Sequence, residues 1–478
     1  MNIMKDIFQM EITKVVKKAC DKWSSTDKSI WRLIMVLPTL FVFNTTNAQQ
    51  PVPLTLKNAL QYALEASQNA RKAKLDIENS QYKIDEVKAR ALPQINGSSS
   101  LTYNPILQQS ALPGDFFGQP GSTVLVAFGQ KWNANVGLSL NQTIFDNAVF
   151  TGLKAAKTTA EFYQLNSQLT EEQIIEQVAT GYYRVLVQRQ QVGVVDSTIK
   201  NTQKVQTALQ SLYENGLAKK IDVDRISVNV SNLRSRRQQL INGVQLLENQ
   251  LKFFMGMPIE TSIIIPDIQL SEINPQAVAK DEQVNASNRT ELAVLKTQEK
   301  LLQYQLQATR SEYLPTLSLS GSYSYQGLSN GFPVFKGQDN GANWFDVASV
   351  GLNLRIPIFN GNATKARIKQ SDVQIRKLKE DISQTKLSLN LAYENAKTQI
   401  NNSIITLNSQ QANVRLAEEV YFNTQNNYKN GLATLTDLLD AEYSLTVTQT
   451  DYSSALLDYR VAEIQLMKAK GSLKSLLN

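Results

Sequence analysis

Side chains that could carry covalent or metal chemistry are scarce in this sequence. The 478-residue chain has no histidine and a single cysteine, Cys20. Asp222 and Asp224 come closest to a metal-binding pair, but residues two apart on a helix do not share a face. No glycine-rich phosphate loop follows a predicted strand. We therefore expect no enzymatic activity, no metal site and no cofactor.

Two carboxylates have a spacing that could act on ions instead. Asp437 and Asp440 are three residues apart, which places both on one face of a helix. Rings of carboxylates around a narrow pore favour cations over anions. Solvated acids on a helix surface are the plainer interpretation, and the spacing alone is compatible with both.

An internal repeat identifies the elements that position these acids. The turn at 213–218 has the sequence YENGLA, and the turn at 428–433 repeats it as YKNGLA. Asp222 and Asp437 follow the two turns at the same offset. Asn-Gly breaks a helical pattern and reverses the chain. The repeat therefore predicts two tandem copies of one unit, each built around a helical hairpin.

Long helices flank both turns. Residues 147–212 contain no proline and place apolar residues every seven positions, a spacing typical of coiled coils. A helix of that length extends ~100 Å, which is longer than a globular domain usually holds. The predicted hairpins span 147–255 and 363–470, and single shorter helices are predicted over 53–91 and 289–313.

Four segments replace the helical period with alternating apolar and small polar residues. They lie within 93–145 and 315–359, two in each copy, and are separated by predicted loops at 105–131 and 327–345. Their polar positions are mainly serine, asparagine and threonine. The segments are long enough to cross a bilayer at a tilt, whereas strands of soluble sheets are usually about five or six residues long.

Four strands cannot close a barrel, and an open sheet edge is not tolerated in lipid. Several chains must therefore contribute strands, and three chains would provide twelve. The predicted fold is a mixed α and β membrane protein. Its four strands per chain would join strands of other chains in a closed β-barrel, which a long α-helical coiled-coil barrel continues, and each chain is built from two tandem structural repeats.

The first 48 residues are typical of a targeting segment. Seven basic residues precede an apolar run at 33–43, which is shorter than the ~20 residues of a spanning helix. The net charge of +7 is spread along the chain and does not favour nucleic-acid binding. The predicted organisation is a signal peptide at 1–48, a first repeat at 49–258, an equatorial connector at 259–288 and a second repeat at 289–478.

The sequence resembles the TolC family of outer-membrane efflux proteins over nearly its whole length. Three motifs carry the resemblance, and each occurs twice in the same order: Leu-Pro between helix and strand, Ile-Phe between strand and helix, and Asn-Gly-Leu-Ala at the hairpin tip. They lie at Leu92-Pro93 and Leu314-Pro315, at Ile144-Phe145 and Ile358-Phe359, and at the two turns. The family implies a trimeric 12-stranded β-barrel, formed by a homotrimer in the lipid of the cell outer membrane that extends into the periplasm. A periplasmic adaptor (membrane fusion protein) and an inner-membrane pump are its implied partners.

The resemblance also implies roles for residues near the tips. It places a pore constriction at Asp437, Asp440 and Asp222, where neighbouring carboxylates would raise some of the pKa values. Tyr428 and Asp222 match a gate contact that holds the entrance closed, although simple coiled-coil packing would equally explain Tyr428. An arginine of this lock is replaced here by Ala433.

The tips themselves are expected to bind the adaptor. A helix reversal uses glycine for its permissive backbone, but it does not require the Leu-Ala that follows. In the family, this small apolar tip receives the hairpin of the adaptor. The residues assigned to docking are Asn215, Gly216, Leu217, Ala218, Asn430, Gly431, Leu432 and Ala433.

We therefore predict an outer-membrane exit duct of a tripartite efflux or secretion system, which passively conducts substrates from the adaptor and pump to the outside. The alternative is a periplasmic coiled-coil adaptor or scaffold protein. It would have the same long hairpins but would not need four amphipathic strands. A polar lumen would pass drugs, metal ions or polypeptides, so the sequence leaves the cargo open.

Overall fold

A computed structural model describes residues 53–118, 120–266, 289–333 and 341–477. The predicted signal peptide at 1–48 lies outside the described residues, as do residues 267–288 of the predicted connector and 334–340 of the second predicted loop. In the described part of the chain, no helix is both long enough and apolar enough to cross a membrane.

Helices and strands alternate in two similar halves. The helices are α1 Leu56–Ala66, α2 Gln68–Ala89, α3 Asn147–Glu214, α4 Lys220–Met255, α5 Thr290–Ser311, α6 Ala363–Lys429 and α7 Leu435–Lys470. The strands are β1 Gln94–Tyr103, β2 Gln109–Pro113, β3 Thr123–Ala127, β4 Trp132–Phe145, β5 Thr316–Ser329 and β6 Ala342–Arg355. Short 3-10 helices occupy Gly114–Phe117 and Leu473–Leu477.

Two long hairpins, α3–α4 and α6–α7, dominate the molecule. Helix α3 has 68 residues and begins where the Asp146 side chain accepts a hydrogen bond from the backbone N–H of Ala148. It ends before Gly216, whose φ of +75° reverses the chain. Helix α4 returns alongside it and ends at Gly256, which also has a positive φ, a conformation that favours glycine. The hairpins pack side by side through α3 and α7.

The first predicted helix is wrong as a single element, because it breaks into α1 and α2. Ser67 between them is extended, and its hydroxyl caps α2 by accepting from the N–H of Ala70. The end of α4 packs directly against this break, and a Cβ on Gly256 would lie 2.7 Å from the Cα of Ser67. Tertiary contact with α4 therefore accounts for a break that helical periodicity does not predict.

Four strands form one antiparallel sheet in the order β1-β4-β5-β6. Residues directly opposite each other lie on the same face, so the register aligns Leu138 with Gly97 and Tyr323, and Tyr323 with Ala348. The apolar positions of all four strands therefore form a continuous band. Strands β1 and β6 are the two edges, and each has one side without a pairing strand among the described residues.

Both predicted loops are shorter than expected. Residues 105–131 contain a second small sheet, the antiparallel hairpin β2–β3, which alternating residues such as Val124 and Val126 could have indicated. Residues 327–345 partly extend β5 and β6, whose ladder continues to the pair Ser329 and Ala342. Strands β5 and β6 therefore extend beyond the alternating apolar residues that predicted them, because glycine and polar residues also form backbone pairs.

The main core lies where the two hairpins meet the short helices. Tyr182, Leu251 and Leu456 are fully or almost fully buried in it, together with Leu60 from α1. Val178 and Val185, which are seven residues apart as in the predicted coiled-coil spacing, are buried there as well. This core fixes the parts of the hairpins that are remote from the turns, and it leaves the tips as a separate region.

Candidate functional site

The two hairpin tips have the same backbone conformation. Gly216 and Gly431 have φ angles of +75° and +74°. In each tip the preceding asparagine side chain, Asn215 or Asn430, donates a hydrogen bond to the carbonyl oxygen four residues earlier, at 2.7 Å and 2.9 Å. The same carbonyl oxygens also accept the backbone N–H groups of Asn215 and Asn430, so each asparagine bonds twice to the last turn of its helix. The sequence duplication is therefore also a structural duplication at the tips.

The leucine of each tip is exposed to an unusual degree for its size. Leu217 is 76% exposed and Leu432 is 78% exposed. The alanines that follow, Ala218 and Ala433, are half-buried. The predicted docking residues therefore divide into an exposed part formed by Asn-Gly-Leu and an alanine that turns towards the hairpin.

A small apolar cluster joins the two hairpins directly above the tips. Its buried members come from α3, α4 and α7, and Tyr428 of α6 packs against it. All four long helices therefore meet at this point. We call this group the tip cluster, and its buried residues are Leu209, Val223, Ile226 and Leu435.

The predicted gate residues Tyr428 and Asp222 are brought together at the edge of the tip cluster. Burial raises the pKa of Tyr428, and the nearby negative charge of Asp222 raises this pKa further. The tyrosine therefore remains a neutral hydroxyl that packs and can donate a hydrogen bond. Its position combines the two interpretations of the sequence, since Tyr428 both packs in the cluster and lies beside the acid.

A second contact between the hairpins was not predicted. Arg225 of α4 donates a 2.6 Å hydrogen bond from its guanidinium group to Oγ1 of Thr436 on α7. Arg225 follows Asp222 by three residues, so it lies on the same helix face, which is the signal that could have identified it. This bond joins α4 of the first hairpin to α7 of the second.

Asp437 and Asp440 are both exposed on the first turns of α7. Asp437 takes part in a capping box: its carboxylate accepts from the backbone N–H of Thr434 at 2.8 Å and from the Thr434 hydroxyl at 2.7 Å. These bonds hold the pKa of Asp437 below its usual value. Within one chain this shift is opposite to the one expected from neighbouring carboxylates, because the capping bonds stabilise the charged form.

The described residues contain no group of three or more histidine, cysteine, aspartate or glutamate side chains arranged to hold a metal ion. The polar residues gathered near the tips are suited to a different role. Their hydrogen bonds can hold the two hairpins together or release them, and their exposed carboxylates can interact with ions.

Comparison with known proteins defines the class of this fold. A family model described as "Outer membrane efflux protein" matches residues 59–257 and 283–472, which is most of the chain. The chain belongs to this family. The family and the fold class predicted for the single chain, with a four-stranded sheet and long helical hairpins in two repeats, are therefore confirmed, and the chain is an outer-membrane efflux protein.

Individual relatives agree with this assignment. The chain is 22% identical to the outer membrane protein TolC of Salmonella enteritidis, over 87% of this chain and 82% of TolC. It is 21% identical to the alkaline protease secretion protein AprF of Pseudomonas aeruginosa, over 69% and 68% of the two chains. Among solved structures, the outer membrane protein VceC of Vibrio cholerae matches with a TM-score of 0.65 and 16% identity, over 87% of this chain and 96% of VceC.

Proposed function

We propose that three copies of this chain form the outer-membrane exit duct of a tripartite efflux or secretion system. The observation that carries the proposal is the sheet β1-β4-β5-β6. It has two long unpaired edges and is joined to hairpins ~100 Å in length. Such a sheet is incomplete in one chain, and its continuation by parallel hairpins suits a tube.

Closure of the sheet follows from the needs of its edges. In lipid, an unpaired N–H or C=O group costs several kcal/mol, so β1 and β6 require partners. Pairing β6 of one chain with β1 of the next supplies both edges at once. Three chains then give the twelve strands of a closed barrel.

The exposed apolar band supports contact between this barrel and lipid. On β6 alone, Val350, Leu352 and Leu354 are 83%, 67% and 62% exposed on one face. Aromatic rings gather towards one end of the strands: Tyr103 lies 4.6 Å from Trp132, and Tyr325 stacks on Trp344 at 5.0 Å. Such rings are common at the boundary between membrane and water.

The opposite end of the molecule is suited to a gated entrance that binds a partner. The contacts of Tyr428, Asp222 and Arg225 hold the two hairpins together, and Asp437 and Asp440 add negative charge where the tube would narrow. The exposed tip leucines fit a periplasmic adaptor, which would connect the duct to an inner-membrane pump. The duct itself would be passive, since it needs no reaction to conduct.

Two measurements on the purified protein test this function. Light scattering should give the mass of three chains, and planar bilayers should show a small conductance selective for cations. Asp440→Asn should reduce the selectivity, because the side chain is exposed near the constriction and makes no capping bond in the chain. Asp451→Asn, which removes an exposed acid several turns further along α7, is the matched control.

The possible results separate the parts of the proposal. A folded protein with the mass of one chain would contradict closure by three copies. Folded trimers that do not conduct would contradict the duct. A conductance whose selectivity is unchanged by Asp440→Asn would leave the duct in place and reject the acidic constriction.

A further inference from the structure

A buried carboxyl group lies between the two hairpins, about three turns above the tips. Glu442 of α7 is only 6% exposed. The hydroxyl group of Thr202 on α3 lies next to this carboxyl group and donates a 2.8 Å hydrogen bond to the backbone carbonyl oxygen of Thr198. One turn further along, Thr198 and Thr446 join the same two helices through their hydroxyl oxygens at 3.0 Å. The contact between α3 and α7 is therefore polar at this level.

This polar contact separates two apolar regions of the hairpins. On α3 the main core reaches Val187, and the tip cluster is represented by Leu209. On α7 the main core begins at Ala455, and the tip cluster includes Leu435. The tips are thus a small apolar unit separate from the main core, and the segment between the two contains buried apolar residues, such as Val195 on α3 and Leu240 on α4, that belong to neither cluster. A small cluster of this kind opens at lower free energy than the main core.

The groups that face Glu442 come from all four long helices. A groove of about 540 Å³ lies over the contact, and its charged or titratable lining groups are Arg236 from α4, with Glu442, Tyr443 and Asp451 from α7. Helix α3 contributes Val195 and Thr198 to this groove. The phenol of Tyr421 on α6 is near enough that the charge of Glu442 contributes to its pKa, which burial raises to about 12.

Burial is the main effect on the carboxyl group, because it disfavours the charged form. It raises the pKa of Glu442 to about 7, and the neighbouring hydroxyl group of Thr202 only partly offsets this effect. The neutral form therefore holds the closed contact without penalty at acidic pH. The penalty grows as the pH rises above the ordinary value of 4.5 and is complete once the pH exceeds about 7.

We propose that Glu442 is a proton-sensitive contact of the gate. In its neutral form it keeps α3 and α7 together, and its ionisation favours separation of the hairpins at the tips. This role rests on the proposed function as a gated duct. If separation exposes the carboxyl group to water and restores its ordinary pKa, the opening equilibrium per chain rises roughly 70-fold between pH 5 and pH 8.

Single-channel recording of the whole protein in planar bilayers tests this role. The open probability of the unaltered protein should rise between pH 5 and pH 8. Glu442→Gln preserves the shape of the side chain but cannot ionise, so it should stay at the acidic level throughout. Asp451→Asn, in the same groove but exposed, should keep the normal response. A normal response in Glu442→Gln, or its loss in Asp451→Asn, would overturn the assignment to Glu442.

A cross-linking measurement tests the contact without requiring conductance. Thr198→Cys with Thr446→Cys places two thiols across the seam, and the yield of disulfide is compared with and without Glu442→Gln. A glutathione redox buffer supplies the oxidant, and the yields are taken at equilibrium, because the charge of Glu442 would otherwise change the rate by disfavouring the thiolate one turn away. The ratio of the two yields then reports the contact. The yields should match at pH 5.5, and at pH 8 the protein that retains Glu442 should be several-fold lower. Equal yields at both pH values would overturn the switch, whereas a pH-dependent ratio in trimers that never conduct would reject the duct alone.

Discussion

Replacing Arg225 with alanine should favour the open state of the duct. In the structure, its guanidinium group donates a 2.6 Å hydrogen bond to Thr436 and so joins the two hairpins near the tips. A buried hydrogen bond to a charged group contributes about 1.5–3 kcal/mol. Arg225 and Thr436 are exposed, so competition from water reduces this contribution to about 0.5–1 kcal/mol.

In the proposed trimer, this modest effect would occur three times. If the three pairs of hairpins open together, loss of three contacts changes the free energy of opening by about 1.5–3 kcal/mol. That change raises the opening equilibrium by roughly 10- to 150-fold. The increase should be largest at low salt, since screening weakens a charged contact at the surface.

Open probability in planar bilayers measures this change directly. Lys220→Ala is the matched control, because it removes an exposed positive charge from the start of the same helix. Arg225→Ala should raise the open probability, and Lys220→Ala should leave it near the normal value. An unchanged open probability in Arg225→Ala would refute the contact as a gate element. An equal increase in both variants would show a general effect of charge instead.

Three further predictions concern stability. Gly256→Ala should lower the free energy of unfolding by about 2–5 kcal/mol, because it combines a positive φ with a Cβ placed 2.7 Å from the Cα of Ser67. Gly471→Ala, at the equivalent position of the second repeat, should lower it by only about 1–2 kcal/mol, because the nearest atom to the added Cβ is 3.5 Å away. Thermal unfolding compares the two variants, and equal losses of stability would contradict the packing argument. Tyr182→Phe should stabilise the protein by about 1 kcal/mol, since the buried hydroxyl has no hydrogen-bond partner in the described part of the chain; a lower unfolding temperature would contradict this. The stabilisation by Asp437 should be present above the ordinary aspartate pKa and be lost as the pH falls through its lowered value; acid titration of thermal unfolding in Asp437→Ala should lack this component.

Much of this architecture could be predicted from local patterns. The strand β4 has the predicted bounds 132–145, and α3 begins at the predicted residue 147. Alternation with period two and a long helical period without proline are properties of consecutive residues, and they do not depend on distant parts of the chain. The duplication of the tips was predictable for the same reason, since Asn-Gly dictates the reversal in both copies.

Only some of the contacts near the tips could be predicted from the sequence. Tyr428 and Asp222 were paired through resemblance to a family, and the structure brings them to one cluster. The bond from Arg225 to Thr436 joins residues 211 positions apart, and no local pattern relates them. Their proximity is decided by how the two hairpins pack.

The helices, strands and turns can therefore be predicted from the sequence, because periodicity, proline and Asn-Gly act over short stretches of chain. Only the tertiary structure decided the break at Ser67, where α4 packs, and the burial of Glu442, where two helices cover a carboxyl group that an isolated helix would leave in water. Burial and contact depend on distant segments coming together. For that reason the sequence carried no sign of the role proposed for Glu442 between α3 and α7, although it did single out Asp437 and Asp440 on the same helix.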